Sequence, residues 1–330
     1  MVLIVNISLC VNYEVHNVFK MPSIFLFFSS PHRVLGRMYE NTTQLTTLNL
    51  SRQTPTILTD ATGGAVIALD GLISIFGTLG NLLVLAVIFV ALRFSTVSNI
   101  LIANLACVDL LTVTVLIPGD IARHLCARMG LCHADRTLVL LHRVLAQFIV
   151  TAASTSLFFI ALERFIAIAF PFRYKSLFTK TKATVCSFLT WTSGAIITGI
   201  FHGLNIIYVQ NTYCILLLLV TFILYFYMFF VALKHEKKIA STPANYNMRP
   251  TQLLWESKSA KTMAIVLGVY ALCWFPSVIF YSVVRQTDWL YPRLQVWINT
   301  VYYLNATLDP LIYSVRSEKF RRSVNKLLTS

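Results

Sequence analysis

The sequence has 330 residues, of which 57% are hydrophobic and only 12% are charged, and its mean hydropathy is +0.71. A chain this poor in charge cannot cover a water-facing surface, so lipid is the expected solvent. The net charge of +14 does not indicate nucleic acid binding, because the basic residues lie between apolar stretches rather than on one soluble face. The sequence has no CxxC pair and no Cys/His cluster at zinc spacing, so we expect no metal site.

Seven apolar stretches are each long enough, at about 20 residues, to cross a bilayer as a helix. We number them spans one to seven, and they cover roughly 64–92, 97–119, 136–170, 183–202, 213–233, 259–284 and 294–315. Short polar loops join them, and an open sheet edge cannot survive in lipid. The predicted fold is therefore all-α, a bundle of seven transmembrane helices. Residues 317–330 add a short amphipathic eighth helix, expected to lie on an anionic inner leaflet.

The distribution of positive charge sets the orientation of this bundle. Most of the 27 Lys and Arg residues fall on the side that is cytoplasmic if the N-terminus lies outside. The tail over 1–63 carries N-glycosylation triplets at Asn41 and Asn49, which agrees with an extracellular tail. We expect a multi-pass plasma-membrane protein, with its transmembrane domain over 64–316. Residues 1–37 form a poor signal peptide, so either translation starts at Met38 or the segment is a disordered extension.

Polar motifs recur inside the apolar spans, where ionisable groups are costly and functional by default. In chain order they are Gly80-Asn81, Asn104 to Asp109, Glu163-Arg164-Phe165 with Pro171-Phe172, Trp191, Cys273 to Pro276, and Asp309 to Tyr313. This ordered set resembles the motifs of rhodopsin-like (class A) G-protein-coupled receptors over about residues 64–328. The resemblance implies a receptor, not an enzyme, that passes an extracellular signal to heterotrimeric G proteins, with arrestin as a further partner.

The resemblance also implies a switch at the cytoplasmic end of the bundle. Arg164 would pair with Glu163 and, across the bundle, with Glu256 at the foot of span six, and so hold the inactive state. Tyr225 and Tyr313 stand where hydroxyl groups face this arginine in the active state of the family. The alternative is an arginine that only anchors a helix end at the membrane surface. The remaining residues of the predicted coupling surface are Phe165, Pro171, Phe172, Asp309 and Pro310.

Two further features of the switch lie deeper in the membrane. Pro276 and Pro310 interrupt helical hydrogen bonds, so each makes a hinge. Trp274, one turn from Pro276, would sense ligand in the pocket above it. Asp109 resembles the sodium-site carboxylate of the family, with Asn305 as a second ligand, so an allosteric sodium ion is expected there and no other cofactor. The alternative is a protonated, hydrogen-bonded carboxyl group at Asp109.

The sequence departs from the family in its usual outer disulfide and its span-five proline, where Val139 and Leu217 stand. The outer cysteines left for a bridge are Cys126, Cys132 and Cys214, and their pairing stays open. These departures resemble melanocortin receptors, while residues 259–268 resemble adenosine receptors. The chain looks like a divergent relative of the melanocortin, adenosine, cannabinoid and lysophospholipid receptor group.

The candidate ligand pocket lacks the side chains that bind the ligands of aminergic receptors and opsins. Ala146 replaces the amine-binding aspartate of aminergic receptors, and span seven has no lysine, which excludes an opsin. The candidate pocket residues are His142, Arg143, Ala146, Gln147, Tyr281, Arg285 and Tyr303. Because basic residues dominate the pocket mouth and desolvated arginine binds oxyanions well, we expect an acidic or phosphate-bearing ligand. The alternative is ordinary solvated loop charge.

Two other classes of function compete with a receptor. A membrane transporter is the runner-up, but transporters tend to show inverted repeats and paired broken helices, and the sequence shows neither. A membrane enzyme is third, because no HExxH, no GxSxG and no pair of catalytic acids is present.

Overall fold

The computed structural model describes residues 61–129, 136–170, 172–204, 208–240, 268–270, 272–281, 284, 291–316 and 318–328, and helices occupy all seven predicted positions. Span one is the α-helix Ala61–Ala86 with a π-helical end at Val87–Leu92. Span two comprises Val97–Leu111, a π-helical stretch at Thr112–Leu116, and Ile117–Arg128. Spans three, four, five and seven are Arg136–Ala169, Lys180–Leu204, Tyr208–Ala240 and Tyr291–Arg316. Span six is described over Gly268–Tyr281.

The all-α fold is confirmed over the residues that the structure describes. Five of the described helices are long and apolar enough to cross a membrane. Span seven, with 26 residues, is also long enough but more polar, because it contributes several amide, hydroxyl and carboxyl groups to the interior of the bundle. Two short helices complete the order, Tyr174–Leu177 between spans three and four, and Glu318–Leu328 after span seven. Phe320 of the last helix is buried, and the placement of this helix on a membrane surface stays a prediction.

Span two extends nine residues beyond its predicted end at 119, to Arg128. The prediction ended where charge returns to the sequence, but the helix continues because its polar side chains find partners inside the bundle. The π-helical stretch between Asp109 and Asp120 changes which face the following residues present, and such stretches often occur at functional sites. This longer span two brings Asp120 into the bundle, which the sequence analysis did not anticipate.

Span three is the central helix of the bundle, in contact with spans two, four and five. Span one packs against spans two and seven, and span seven also contacts the C-terminal helix. Gly77 permits the close approach of span one, because a Cβ atom there would lie 2.6 Å from Val113 Cγ1 and 2.8 Å from Thr307 Oγ1. The faces turned away from the other helices carry large exposed apolar side chains such as Phe76 and Ile223, as expected for surfaces that meet lipid.

Buried amides join the spans to one another. Asn81 donates from Nδ2 to the carbonyl oxygen of Ala306 at 2.8 Å, which ties span one to span seven. Asn104 donates to Ser156 Oγ at 2.6 Å and accepts from Trp191 Nε1 at 2.9 Å, so one side chain connects spans two, three and four. Two of the predicted motif residues therefore act as joints of the bundle.

Replacing Asn104 with alanine is expected to lower the stability of the receptor fold by about 1–2 kcal/mol, because two buried partners lose their hydrogen bonds. Thermal unfolding of the purified protein should show a decrease of several degrees in its midpoint. Thr114→Val is the matched control, since the Thr114 hydroxyl is exposed and bonds only to Leu110 of its own helix. Equal midpoints for Asn104→Ala and the unmodified chain would contradict the assignment of Asn104 as a joint.

Candidate functional site

The polar residues of the bundle form three groups along its axis, and we name its two ends by residues that lie there. The Ala61 end holds the start of span one, and the Arg164 end holds the Glu163-Arg164 pair. A third group lies between them around Asp109. Each group joins side chains from several spans, so each depends on how the spans are arranged.

At the Arg164 end, four side chains form one network. Glu163 is 1% exposed, and its Oε2 lies 3.0 Å from Arg164 Nε in an ion pair that lacks directed hydrogen-bond geometry. Arg164 Nη2 donates to Ser98 Oγ at 2.5 Å, and Ser98 Oγ donates to Glu163 Oε1 at 3.0 Å. Because Ser98 belongs to span two, the arginine is held to its own helix and to the neighbouring one.

Tyr174, in the short helix after span three, closes the same network. Its hydroxyl donates to Glu163 Oε1 at 2.5 Å. Burial, strengthened by the hydrogen bond to Glu163, raises the pKa of the Tyr174 hydroxyl above its ordinary value. The phenol therefore stays protonated and keeps donating. Tyr174 was not among the predicted switch residues, although it stands only two residues after the motif pair Pro171-Phe172.

Aromatic residues pack around Phe165, which follows Arg164 in the chain. The ring of Phe165 lies edge-on to Tyr227, with ring centroids 5.3 Å apart, and Tyr225 is buried beside Ala161 and Met228. Phe172 projects fully into solvent with a relative exposure of 102%. A large apolar ring so exposed is a candidate contact for a protein partner. Of the other predicted coupling residues, Glu256, Pro171 and the side chain of Tyr313 lie outside the described residues.

In the middle group, two carboxyl groups meet. Asp109 and Asp309 are 2% and 4% exposed and lie next to each other across spans two and seven. Asn305 Nδ2 donates to Asp309 Oδ2 at 3.4 Å, whereas Asp109 Oδ2 is buried without a hydrogen-bond partner among the described residues. Two adjacent carboxyls and an amide offer oxygen ligands to a small hard cation, and the unpartnered Asp109 oxygen fits that chemistry.

Trp274 lies in the same layer and is 4% exposed. Its ring is edge-on to Tyr302 of span seven, with centroids 5.1 Å apart, and tilted against Tyr270 one turn below in span six, at 5.5 Å. A shift of Trp274 would therefore press directly on span seven. Pro310 lies inside the continuous helix of span seven, where it removes one backbone donor.

At the Ala61 end, Asp120 of span two is the centre of a polar cluster. His142 Nε2 of span three lies 2.9 Å from Asp120 Oδ1, and Arg123 Nη2 lies 2.8 Å from the same oxygen. Tyr303 of span seven donates its hydroxyl to Asp120 Oδ2. Gly119 permits the approach of His142, because a Cβ atom there would lie 2.7 Å from His142 Nδ1. One carboxylate thus joins spans two, three and seven.

Asp70 of span one lies beside this cluster and is 1% exposed. It interacts with the Thr300 side chain of span seven and with Asp120, while its Oδ1 has no hydrogen-bond partner among the described residues. Neither acid was among the predicted site residues. Asp70 carried a usable signal, a carboxylate inside the apolar run of span one, but Asp120 fell one residue beyond the predicted end of span two.

The predicted pocket residue Gln147 forms a second junction, one turn below Arg143. Its side-chain oxygen lies 2.5 Å from His202 Nε2 of span four, and its backbone oxygen accepts from Gln210 of span five at 3.0 Å. Arg143 is exposed, and Ala146 packs against the core. The structure therefore brings His142 and Tyr303 together at Asp120 and places Gln147 at a separate junction.

The other predicted residues of this end have mixed outcomes. Tyr281 donates its hydroxyl to Asn299 at 2.9 Å, which links spans six and seven. Arg285 and the glycosylation candidates Asn41 and Asn49 lie outside the described residues. The assignment of Cys214 as an outer cysteine was wrong, because its thiol is buried 3.7 Å from Ser154 Oγ inside the bundle and is free.

Known proteins give independent comparisons with this chain. The family model described as "7 transmembrane receptor (rhodopsin family)" matches residues 80–205 and 200–313. The Danio rerio trace amine-associated receptor 13c is 29% identical, with 76% of this chain and 82% of that receptor covered. Melanocortin receptor 5 of Bos taurus is also 29% identical, with 87% and 91% covered. Cannabinoid receptor 1 of Xenopus laevis is 27% identical, with 83% and 65% covered.

Proposed function

Because this chain belongs to the rhodopsin family of seven-transmembrane receptors, it is a G-protein-coupled receptor, and we propose that release of Arg164 is the step that switches it on. It is a multi-pass membrane protein with an extracellular ligand and a G protein as partners. The resemblance to melanocortin and cannabinoid receptors is confirmed, and the transporter alternative has no support.

The network of Glu163, Arg164 and Ser98 carries this proposal. An arginine bonded to an acid of its own helix and to the hydroxyl of span two is withheld from any partner that approaches the Arg164 end. Ligand binding at the opposite end would favour a second arrangement in which these contacts are broken. Phe172, exposed two residues before Tyr174 in the chain, would then meet the G protein, and arrestin would use the same face. Guanine-nucleotide exchange measured beside Arg164→Ala tests the proposal.

The relay between the two ends would run through the middle group. Trp274 contacts Tyr302 of span seven, and Pro276 and Pro310 provide hinges in the two helices concerned. Asp109, Asp309 and Asn305 would hold a sodium ion that stabilises the inactive arrangement. Thermal unfolding in sodium chloride and in choline chloride at equal ionic strength tests this site. Identical unfolding midpoints in the two salts would contradict sodium binding.

The Ala61 end is proposed to face the extracellular side at the plasma membrane. The distribution of Lys and Arg and the glycosylation triplets at Asn41 and Asn49 support this orientation. We expect the mature protein to be sensitive to an N-glycosidase. The variant with glutamine in place of both Asn41 and Asn49 should be insensitive. An unglycosylated tail that is accessible only from the cytoplasm would show that the orientation is the opposite one.

An acidic group of the ligand is proposed to bind Arg143. Two other basic residues of this end, Arg123 and the predicted pocket residue His142, already contact Asp120, so they are less available to an anion. Arg143 is exposed at the same end, and its planar guanidinium group matches a carboxylate or phosphate.

Arg143→Ala is therefore expected to weaken the response to an acidic agonist by about tenfold or more, the loss of one charged hydrogen-bonding pair. The measurement is a concentration–response curve in cells with surface expression determined in parallel. Arg293→Ala, which removes an exposed arginine at the start of span seven, is the comparison variant. An unchanged response in Arg143→Ala would eliminate the acidic-ligand proposal.

A further inference from the structure

Asp70 presents a physical problem that the proposed switch does not address. Its carboxyl group is 1% exposed within the outer half of span one, and Oδ1 has no hydrogen-bond partner among the described residues. The ion pairs of the described part of the chain include none to Asp70. A buried, unpaired carboxylate is strongly unfavourable, so either it holds a proton or a cation from outside completes it.

The surroundings of Asp70 supply further oxygen acceptors from two other spans. Asp120, a second carboxylate, lies near enough to interact with it, and the hydroxyl-bearing side chains of Thr300 and Tyr303 lie in the same cluster. These groups come from spans one, two and seven, so they surround a site at the Ala61 end rather than a single helix face. Arg123 and His142 both contact Oδ1 of Asp120, and neither forms an ion pair with Asp70.

We infer that Asp70 and Asp120 form the subsite for an ammonium group of the ligand. An ammonium carries three N–H donors on one charge, and the cluster offers the free Asp70 oxygen and neighbouring hydroxyl oxygens as acceptors. A metal ion fits less well, because no three His, Cys, Asp or Glu side chains of the described residues are grouped to hold one. Ala146 lacks the aspartate that usually binds amines in this family, so Asp70 supplies that charge from a different span.

This inference rests on the proposed function, since it names the ligand chemistry of the same receptor end. Together with an anion at Arg143, it describes a ligand with both an ammonium and an acidic group. Asp120 would then couple the ligand to the bundle, because it already joins His142 of span three and Tyr303 of span seven. A ligand ammonium group that binds the same two acids would change the contacts of Asp120. It would thereby shift the equilibrium between arrangements of the helices that Asp120 joins.

Four probes of equal chain length test the two subsites separately: hexylamine, caproate, aminocaproate and hexanol. The full chain is studied in lipid nanodiscs with a thiol-reactive dye. The exposed thiols of Cys107 and Cys126 give a constant background, and the buried thiols of Cys214 and Cys273 react only on unfolding. The concentration dependence of the unfolding midpoint gives an apparent affinity for each probe. Hexylamine is expected to bind at least about tenfold more tightly than hexanol, which shares its apolar chain.

Asp70→Asn should remove the preference for hexylamine over hexanol, without lowering the midpoint of the ligand-free protein, because it removes an unpaired buried charge. Asp70→Glu keeps the charge and should keep the preference. Caproate binding should depend on Arg143 and be unaffected in Asp70→Asn, so the acidic-ligand proposal and this inference can fail separately. Equal affinities of hexylamine and hexanol for the unmodified chain, or a preference that survives in Asp70→Asn, would overturn the inference.

Discussion

Arg164→Ala is expected to reduce G-protein activation by more than about 30-fold, while the amount of receptor at the cell surface is unchanged. The reason is that Arg164 becomes available to bind the G protein once its contacts with Glu163 and Ser98 break. Its loss leaves Glu163 with donors from Ser98 and Tyr174, which offset part of the cost of the lost ion pair. The measurement is second-messenger output in cells that co-express G proteins of each class.

Arg173→Ala is the matched control for this experiment. Arg173 lies nine residues further along the chain, is exposed, and takes part in none of the ion pairs of the described residues. Its replacement removes the same charge without touching the network, so signalling should stay close to that of the unmodified chain. A decrease of similar size in both variants would mean that general positive charge, rather than the released arginine, serves the G protein.

Glu163→Gln is expected to have the opposite effect and raise ligand-independent signalling by about tenfold. Glutamine can still accept hydrogen bonds from Ser98 and Tyr174, so the substitution removes mainly the ion pair with Arg164 at 3.0 Å. A charged contact of this partly buried kind contributes about 1–2 kcal/mol, and that energy belongs to the inactive arrangement alone. Its loss shifts the population toward the arrangement with a free arginine.

The measurement for Glu163→Gln is basal nucleotide exchange in membranes, normalised to the number of receptors. Ser98→Ala provides a graded comparison, because it removes one bridging hydroxyl and keeps the ion pair. Its basal exchange should fall between those of the unmodified chain and Glu163→Gln. Basal exchange in Glu163→Gln that does not exceed the unmodified value would show that the ion pair does not restrain the receptor.

The fold and the Arg164 end were predictable because their signals are local in the sequence. Apolar length identifies the spans, and Glu163-Arg164 stands at the end of one of them, where a charged pair has few alternatives. The contact with Ser98 was not predictable, since no short-range pattern indicates which residue of span two meets span three. Tyr174 illustrates the same limit, because its role depends on how the loop folds back toward Glu163.

The Ala61 end was predicted less well, for physical reasons that involve particular residues. His142 reads as a free basic group in the sequence, whereas in the structure it faces Asp120. The π-helical stretch in span two alters the register between Asp109 and Asp120, and helical periodicity cannot reveal it. Span five was predicted to begin at residue 213, which would place Cys214 at the outer end of the helix. The helix begins earlier, at Tyr208, so Cys214 lies further inside the bundle.

Nucleotide exchange by the double variant Glu163→Gln/Arg164→Ala tests, without any ligand, whether Glu163 restrains Arg164. Purified receptor and purified G proteins of each class would be compared for the unmodified chain, Glu163→Gln and the double variant. If Glu163 acts by restraining Arg164, at least one G protein should exchange nucleotide faster with Glu163→Gln, and the double variant should abolish that gain. Exchange by the double variant as fast as by Glu163→Gln would contradict a switch in which the released arginine couples the receptor to its G protein.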